Sequence, residues 1–272
     1  MCYHPRVRAC LLAALLLVGA DTAWSADLLA EARRLYNLGQ YATAEKVARE
    51  AVAVPGTADA AKVVLGRIQL ERYRQSNDFE DLTAARASLR DVDARALDSR
   101  ERVELIIGLA EALYLEDRYA AAAELFESVF ERSSVLGLSA HERVLDWWAT
   151  AIDRYAQTLQ APHRPEKYRR IISRMRDEIV SLPGSTAAAY WLAAAARASG
   201  NPEEAWHYAV SGWVRAPLAE DHGATLRADL DRLVMQAIIP ERAAKLGSRG
   251  DPKVAQANML SEWEAFKAAW SR

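Results

Sequence analysis

The chain has 272 residues and a net charge of −2, from 35 basic and 37 acidic side chains. Hydrophobic residues make up 51% and charged residues 26%, which excludes a disordered tail or a collagen-like chain. The even charge balance excludes a dedicated nucleic-acid binder, which carries a strong basic excess. Only 12 Gly and 9 Pro are present, and the helix formers Ala, Leu, Glu and Arg dominate, so an all-α fold is expected.

Residues 1–25 have the pattern of a secretory signal peptide. Arg6 and Arg8 lead, an apolar run from Cys10 to Ala20 follows, and Ala23-Trp24-Ser25 sets small residues around a cut. The run is well short of the roughly 20 residues that span a bilayer. An uncleaved N-terminal anchor is the alternative. Cys2 and Cys10 precede or open the run, so neither fits a lipoprotein signal. The mature chain is then expected to start near Ala26, to hold no cysteine and to depend on its core alone. No later segment is apolar and long enough for a transmembrane anchor. The expected location is the periplasm, reached by secretion across the inner membrane, or the extracellular side.

Three later segments align without gaps. The first runs through Leu28, Ala32, Leu35, Gly39, Tyr41 and Ala44, then Ala51 and Pro55. The second runs through Ile106, Leu109, Ala110, Leu113, Asp117, Tyr119 and Ala122, then Phe126 and Val129. The third runs through Ala189, Leu192, Ala193, Ala196, Gly200, Pro202 and Ala205, then Ala209, Gly212 and Pro217. Apolar residues three and four apart give one sticky helix face. A Gly or Asp ends that helix and a second begins within two residues, so the pair runs antiparallel. Small residues recur at Ala32, Ala44 and Ala51; at Ala110, Ala122 and Val129; and at Ala193, Ala205 and Gly212. Their lack of bulk lets helix axes approach to about 8–10 Å.

Between and beyond these segments lie further helical patterns. Helices are expected over 58–76, 79–93, 140–160 and 165–182, and over 223–238, where Ile239-Pro240 is expected to end the helix. Residues 246–252 form the one obvious linker. A last helix carries Met259, Trp263, Phe266 and Trp270 on one stripe. It either caps the exposed end of the stack or docks a partner. In Trp147-Trp148, side chains about 100° apart on a helix cannot share one seam, so one packs and the other lines a groove or meets solvent.

At the aligned residues the chain resembles the tetratricopeptide repeat (TPR) family, whose unit is a 34-residue helix–turn–helix. The third segment matches best, including its closing Pro217. The first departs at Glu31, and the second lacks the closing Pro. The matches start at Leu28, Ile106 and Ala189, so each interval fits two units plus a short insertion. The resemblance implies a right-handed superhelix of stacked antiparallel pairs over 26–245, with a linker and capping helix over 246–272. It implies an inner wall built from first helices, holding a peptide or helix of another envelope protein. Carried over, that wall takes Leu29, Arg33, Tyr36 and Asn37 from the first match. It takes Ile107, Glu111, Tyr114 and Leu115 from the second, and Tyr190, Ala194 and Arg197 from the third. The tyrosines either make an amphipathic groove or cover helix joints. Leu29, Ile107 and Tyr190 stand where some members have a carboxylate-clamping Lys, so that clamp is not expected.

The catalytic inventory is empty. His141, His163, His207 and His222 show no metal-ligand spacing, and the mature chain lacks Cys. No nucleophile elbow or Gly-rich phosphate loop occurs. The chain is therefore expected to be no enzyme, with no catalytic or metal residues and no cofactor. An adapter for another protein is the first expectation. An accessory of a solute or lipid uptake system, enclosing a small apolar ligand inside the superhelix, is the alternative.

Overall fold

The computed structural model describes residues 27–246 and 251–271; the signal-peptide pattern and the linker residues 247–250 lie outside them. Every regular element among the described residues is helical. The chain divides into two compact units, one ending at Arg118 and the other starting at Tyr119.

The first unit holds α1 (residues 27–37), α2 (Tyr41–Val52), α3 (Ala58–Ser76), α4 (Phe79–Arg90) and α5 (Ser99–Leu115). Helix α3 packs against α2, α4 and α5. Its crossing with α4 needs a bare backbone: a Cβ on Gly66 would lie 2.6 Å from Leu89 Cγ. Helix α5 starts at a full capping box, in which Asp98 accepts from the Glu101 N–H and Glu101 accepts from the Asp98 N–H.

The second unit holds α6 (Tyr119–Glu127), α7 (Phe130–Ser133), α8 (Leu138–Thr158), α9 (Arg164–Ser181), α10 (Thr186–Ala198), α11 (Pro202–Arg215), α12 (Ala224–Leu233), α13 (Ile239–Leu246) and α14 (Pro252–Trp270). Helix α10 touches α8, α9, α11 and α12. Alanine makes this possible, since Ala188, Ala193, Ala195 and Ala196 are fully enclosed and keep the axes close. Trp148 is fully buried, while Trp147 is half-buried and stacked on Phe126 at 6.1 Å. Trp263 of α14 is buried against Trp206 and Trp213, with ring centroids 5.5 and 5.3 Å away. Its indole N–H donates to Asp231 at 2.8 Å.

The three aligned turns share one geometry. Gly39, Asp117 and Gly200 all take a left-handed backbone, with φ of 71°, 60° and 89°. One residue later, the N–H of Gln40, Arg118 and Asn201 donates back to the carbonyl of Leu35, Leu113 and Ala196 at 3.0, 2.8 and 3.0 Å. These are Schellman closures, which stop a helix and reverse the chain at once. The small residues of the three segments are all buried.

One expected helix end is displaced. The chain stays helical through Pro240 and on to Leu246. Proline in a regular helix lacks its N–H and presses its ring on the carbonyl four residues back, here that of Gln236. Residues Val234–Ile238 instead widen into a π-turn, which takes up this misfit and lets α12 run on into α13. The intervening helix expected over 79–93 also stops early, at Arg90.

Two substitutions probe these features. A Cβ on Gly200 meets nothing within 4 Å, so Gly200→Ala isolates backbone strain and should cost about 1 kcal/mol in urea unfolding. Ala205 is fully buried at the start of α11, so Ala205→Leu should overpack the α10–α11 seam and cost about 1–3 kcal/mol in thermal unfolding.

Candidate functional site

The positions expected to line a wall in the first unit are largely taken up by contacts within that unit. Leu29, Tyr36 and Ile107 are buried. Arg33 of α1 donates to Glu104 at 2.9 Å and to Glu101 at 3.3 Å. Arg67 of α3 donates to the Tyr36 hydroxyl at 3.2 Å, lies 5.0 Å from the centroid of that ring, and approaches buried Glu111 at 3.9 Å. Burial alone would weaken the charge on Arg67, but Tyr36, Glu111 and Glu104 around it hold its pKa above the usual arginine value. Tyr114 and Leu115 are half-buried and Asn37 is exposed. The result is an ion lattice in which arginines from within the chain answer the carboxylates.

The second unit is arranged differently. Helices α8, α10 and α12 line a cavity of ≈ 510 Å³. From α8 come Ser139, Glu142, Arg143, Asp146 and Thr150, at the three- and four-residue spacing of one helix face. The opposite face of α8 is fixed in the core by Leu145, Trp148 and Ile152. Helix α10 adds Thr186, Ala187, Tyr190 and Trp191, and α12 adds Thr225, Leu226 and Asp229. Of the expected wall residues of the third segment, Tyr190 lies in this cavity. Arg197 is instead tied to Glu241, donating from Nε at 2.9 Å and Nη2 at 2.6 Å, and Ala194 is half-buried.

The polar groups of this cavity are held in place by the helices. Asp146 accepts from the Trp191 indole N–H at 2.8 Å. Glu142 Oε2 accepts from the Thr186 hydroxyl at 3.1 Å and the Ala187 N–H at 2.9 Å, securing the start of α10. Its second oxygen, Oε1, is enclosed and has no hydrogen-bond partner. Burial raises the Tyr190 phenol above its ordinary pKa, and the carboxylates of Asp229, Asp146 and Asp153 push it further the same way. The nearby Arg232 opposes these carboxylates.

Sequence reasoning missed Glu142, Asp146 and Asp229, because α8 and α12 lie outside the aligned segments. The three- and four-residue spacing of polar positions opposite Leu145 and Trp148 was the signal that could have found the two on α8. It also missed a second constellation. His141 Nε2 donates to Glu178 Oε1 at 2.9 Å, and His141 Nδ1 lies 2.6 Å from Ser133 Oγ. When the ring is neutral, Ser133 donates to Nδ1; when it is protonated, Nδ1–H donates to Ser133, whose hydroxyl then turns to the Phe130 carbonyl 2.9 Å away. The order Ser–His–Glu is that of an acyl-transfer triad. Ser133, however, is 0% exposed, so its oxygen is out of reach of a substrate, and the chain of bonds clasps α7, α8 and α9 together.

Among the described residues, no group of three or more His, Cys, Asp or Glu side chains is placed to hold a metal ion. None of the described helices is long and apolar enough to cross a membrane. Comparison with protein-family models, curated proteins and solved structures finds no match.

The clasp carries a pH prediction. The hydrogen bond from His141, opposed by burial and aided by the charges of His141 and Arg174, holds the Glu178 carboxyl below its ordinary 4.5. A depressed carboxylate stabilises the fold above its unfolded pKa and loses that contribution as pH falls through the folded value. Glu178→Gln should therefore lower stability at neutral pH and flatten the decline below about pH 4.5, as followed by urea midpoints across the acid range.

Proposed function

We propose that this chain is an exported TPR-type scaffold that binds a peptide or helix of another envelope protein on the first-helix wall of its second unit, with no catalytic step of its own. The repeat reading is supported by the shared left-handed turns at Gly39, Asp117 and Gly200, and by the burial of every small seam residue. Contacts between alternate helices, α3 with α5, α8 with α10 and α10 with α12, fit stacked pairs whose first helices succeed one another along one wall. The residue pattern of 1–25 supports export, and with it a periplasmic location.

The cavity on α8, α10 and α12 is the observation that carries the binding reading. It opens on three alternate helices, α8, α10 and α12, as a site for an extended segment must, and its lining includes no residue of α14. The contacts of α14 on α12 fall at Arg227 and Asp231, whereas the cavity takes Thr225, Leu226 and Asp229. Three carboxylates on its lining disfavour the small apolar ligand of the alternative, because an apolar occupant would strip water from charged groups.

Mature protein used as bait on a periplasmic extract should retain a defined partner. Tyr190→Ala, with an unchanged far-UV spectrum, should lose it. Identical partner sets for the two proteins, or none for either, would count against the wall.

A further inference from the structure

Helix α10 floors a second space, on a face other than the one that carries Tyr190 and Trp191. Helices α9 and α11 both pack on α10, and they enclose with it a cavity of ≈ 240 Å³. Ala189 and Leu192 form its floor, Ile179 and Val180 come from α9, and Gly212 of α11 has no side chain to fill it. On α11, Tyr208 and Arg215 also line the cavity. They lie two turns apart on one face, so the pocket follows about 10 Å of that helix. One end is closed. Arg176 donates from Nε to the Tyr208 hydroxyl at 2.7 Å and from Nη2 to Glu204 at 2.8 Å, and the Tyr208 hydroxyl donates to Glu204 at 3.1 Å. The other end is open. Arg215 is half-buried and has neither a hydrogen-bond nor an ion-pair partner among the described residues. Val180, on the rim, is 83% exposed.

We propose that this pocket binds a medium-chain fatty acid, with its alkyl chain on Leu192, Ile179 and Val180 and its carboxylate on Arg215. Size, polarity and charge each select that class. An apolar cavity of about 150 Å³ holds a benzene ring, so this one has room for an alkyl chain of several carbons. Such a chain gains by leaving water, and it covers apolar surface that Val180 otherwise leaves exposed. The lining residues include two arginines and no carboxylate, which attracts an acid and repels an amine. Glu204 already answers Arg176. Arg215 is the guanidinium left open to a two-pronged pair with an incoming carboxylate. The pocket shares no lining residue with the cavity on α8, α10 and α12, and its occupant is independent of what binds there.

Isothermal titration of the mature protein with octanoate, below its micellar concentration, should show one molecule bound per chain. Affinity should rise about three- to fourfold for each methylene added between hexanoate and octanoate, as burial of the alkyl chain requires. Octylammonium and the methyl ester of octanoate should bind about tenfold more weakly, since neither pairs with a guanidinium as a carboxylate does. Arg215→Gln should weaken octanoate roughly tenfold, with Arg215→Lys between the two. Arg90→Gln removes the same charge from an exposed position in the first unit and should change affinity by less than about twofold. Val180→Glu sets a carboxylate on the rim at a site too exposed to disturb folding, and should weaken octanoate while leaving the melting temperature unchanged. Absence of octanoate binding, affinity that ignores chain length, equal affinity for octylammonium, or equal weakening by Arg215→Gln and Arg90→Gln overturns the proposal.

Discussion

The second unit is organised around how closely helices approach α10. A helix contacted by four others has little surface left for bulk. Its sequence meets that demand with alanine at the packed positions, where each larger side chain would push a neighbour outward. It carries few large side chains, Tyr190, Trp191, Leu192 and Arg197. Gly212 extends the same logic to α11 and α12, since a Cβ there would lie 3.0 Å from Leu230. The chemistry of the cavity thus follows from packing. Alanine settles where neighbours go, and the remaining positions are left to form a wall.

Charge is handled with comparable economy. In the first unit, carboxylates and arginines compensate each other inside the chain. Their value lies less in net stability than in what their removal would leave behind: an unpaired charge in a partly enclosed site costs about 3–5 kcal/mol, more than the intact pair contributes. Surface pairs such as Arg34 with Glu31 are worth far less and are screened by salt. In the second unit Trp191 orients Asp146, and Thr186 with the Ala187 N–H orients Glu142, so neutral donors as well as arginines hold its carboxylates.

Much of the architecture was legible in the sequence because it is carried by local rules. The turns at Gly39, Asp117 and Gly200 follow from the need for a left-handed residue at a helix stop, and the buried alanines follow from periodicity. What escaped was set by distant partners. Ser133, His141 and Glu178 come together across α7, α8 and α9, and nothing in their spacing announces the meeting. Helix α8 lacks the aligned pattern, so its polar face carried no register until Trp148 and Leu145 fixed its rotation in the core. Pro240 illustrates the opposite error. A rule for regular helices named it a terminus, and a π-turn upstream set the rule aside. Register alone set the expectation that Arg33, Tyr36 and Glu111 line a wall; the pairing of Arg33 with Glu104 came from α5, and that of Tyr36 and Glu111 with Arg67 from α3, which the alignment did not cover.

The aromatic residues are divided unevenly between the units. Every tryptophan beyond Trp24 lies after Arg118: Trp147, Trp148, Trp191, Trp206, Trp213, Trp263 and Trp270. Several of them, Trp206, Trp213 and Trp263 above all, touch ring to ring. Indole emission from residues 27–271 is consequently a reporter of one unit alone. A fluorescence melting curve will register the loosening of residues 119–271 and stay blind to 27–118, whose unfolding has to be followed through tyrosine or amide signals.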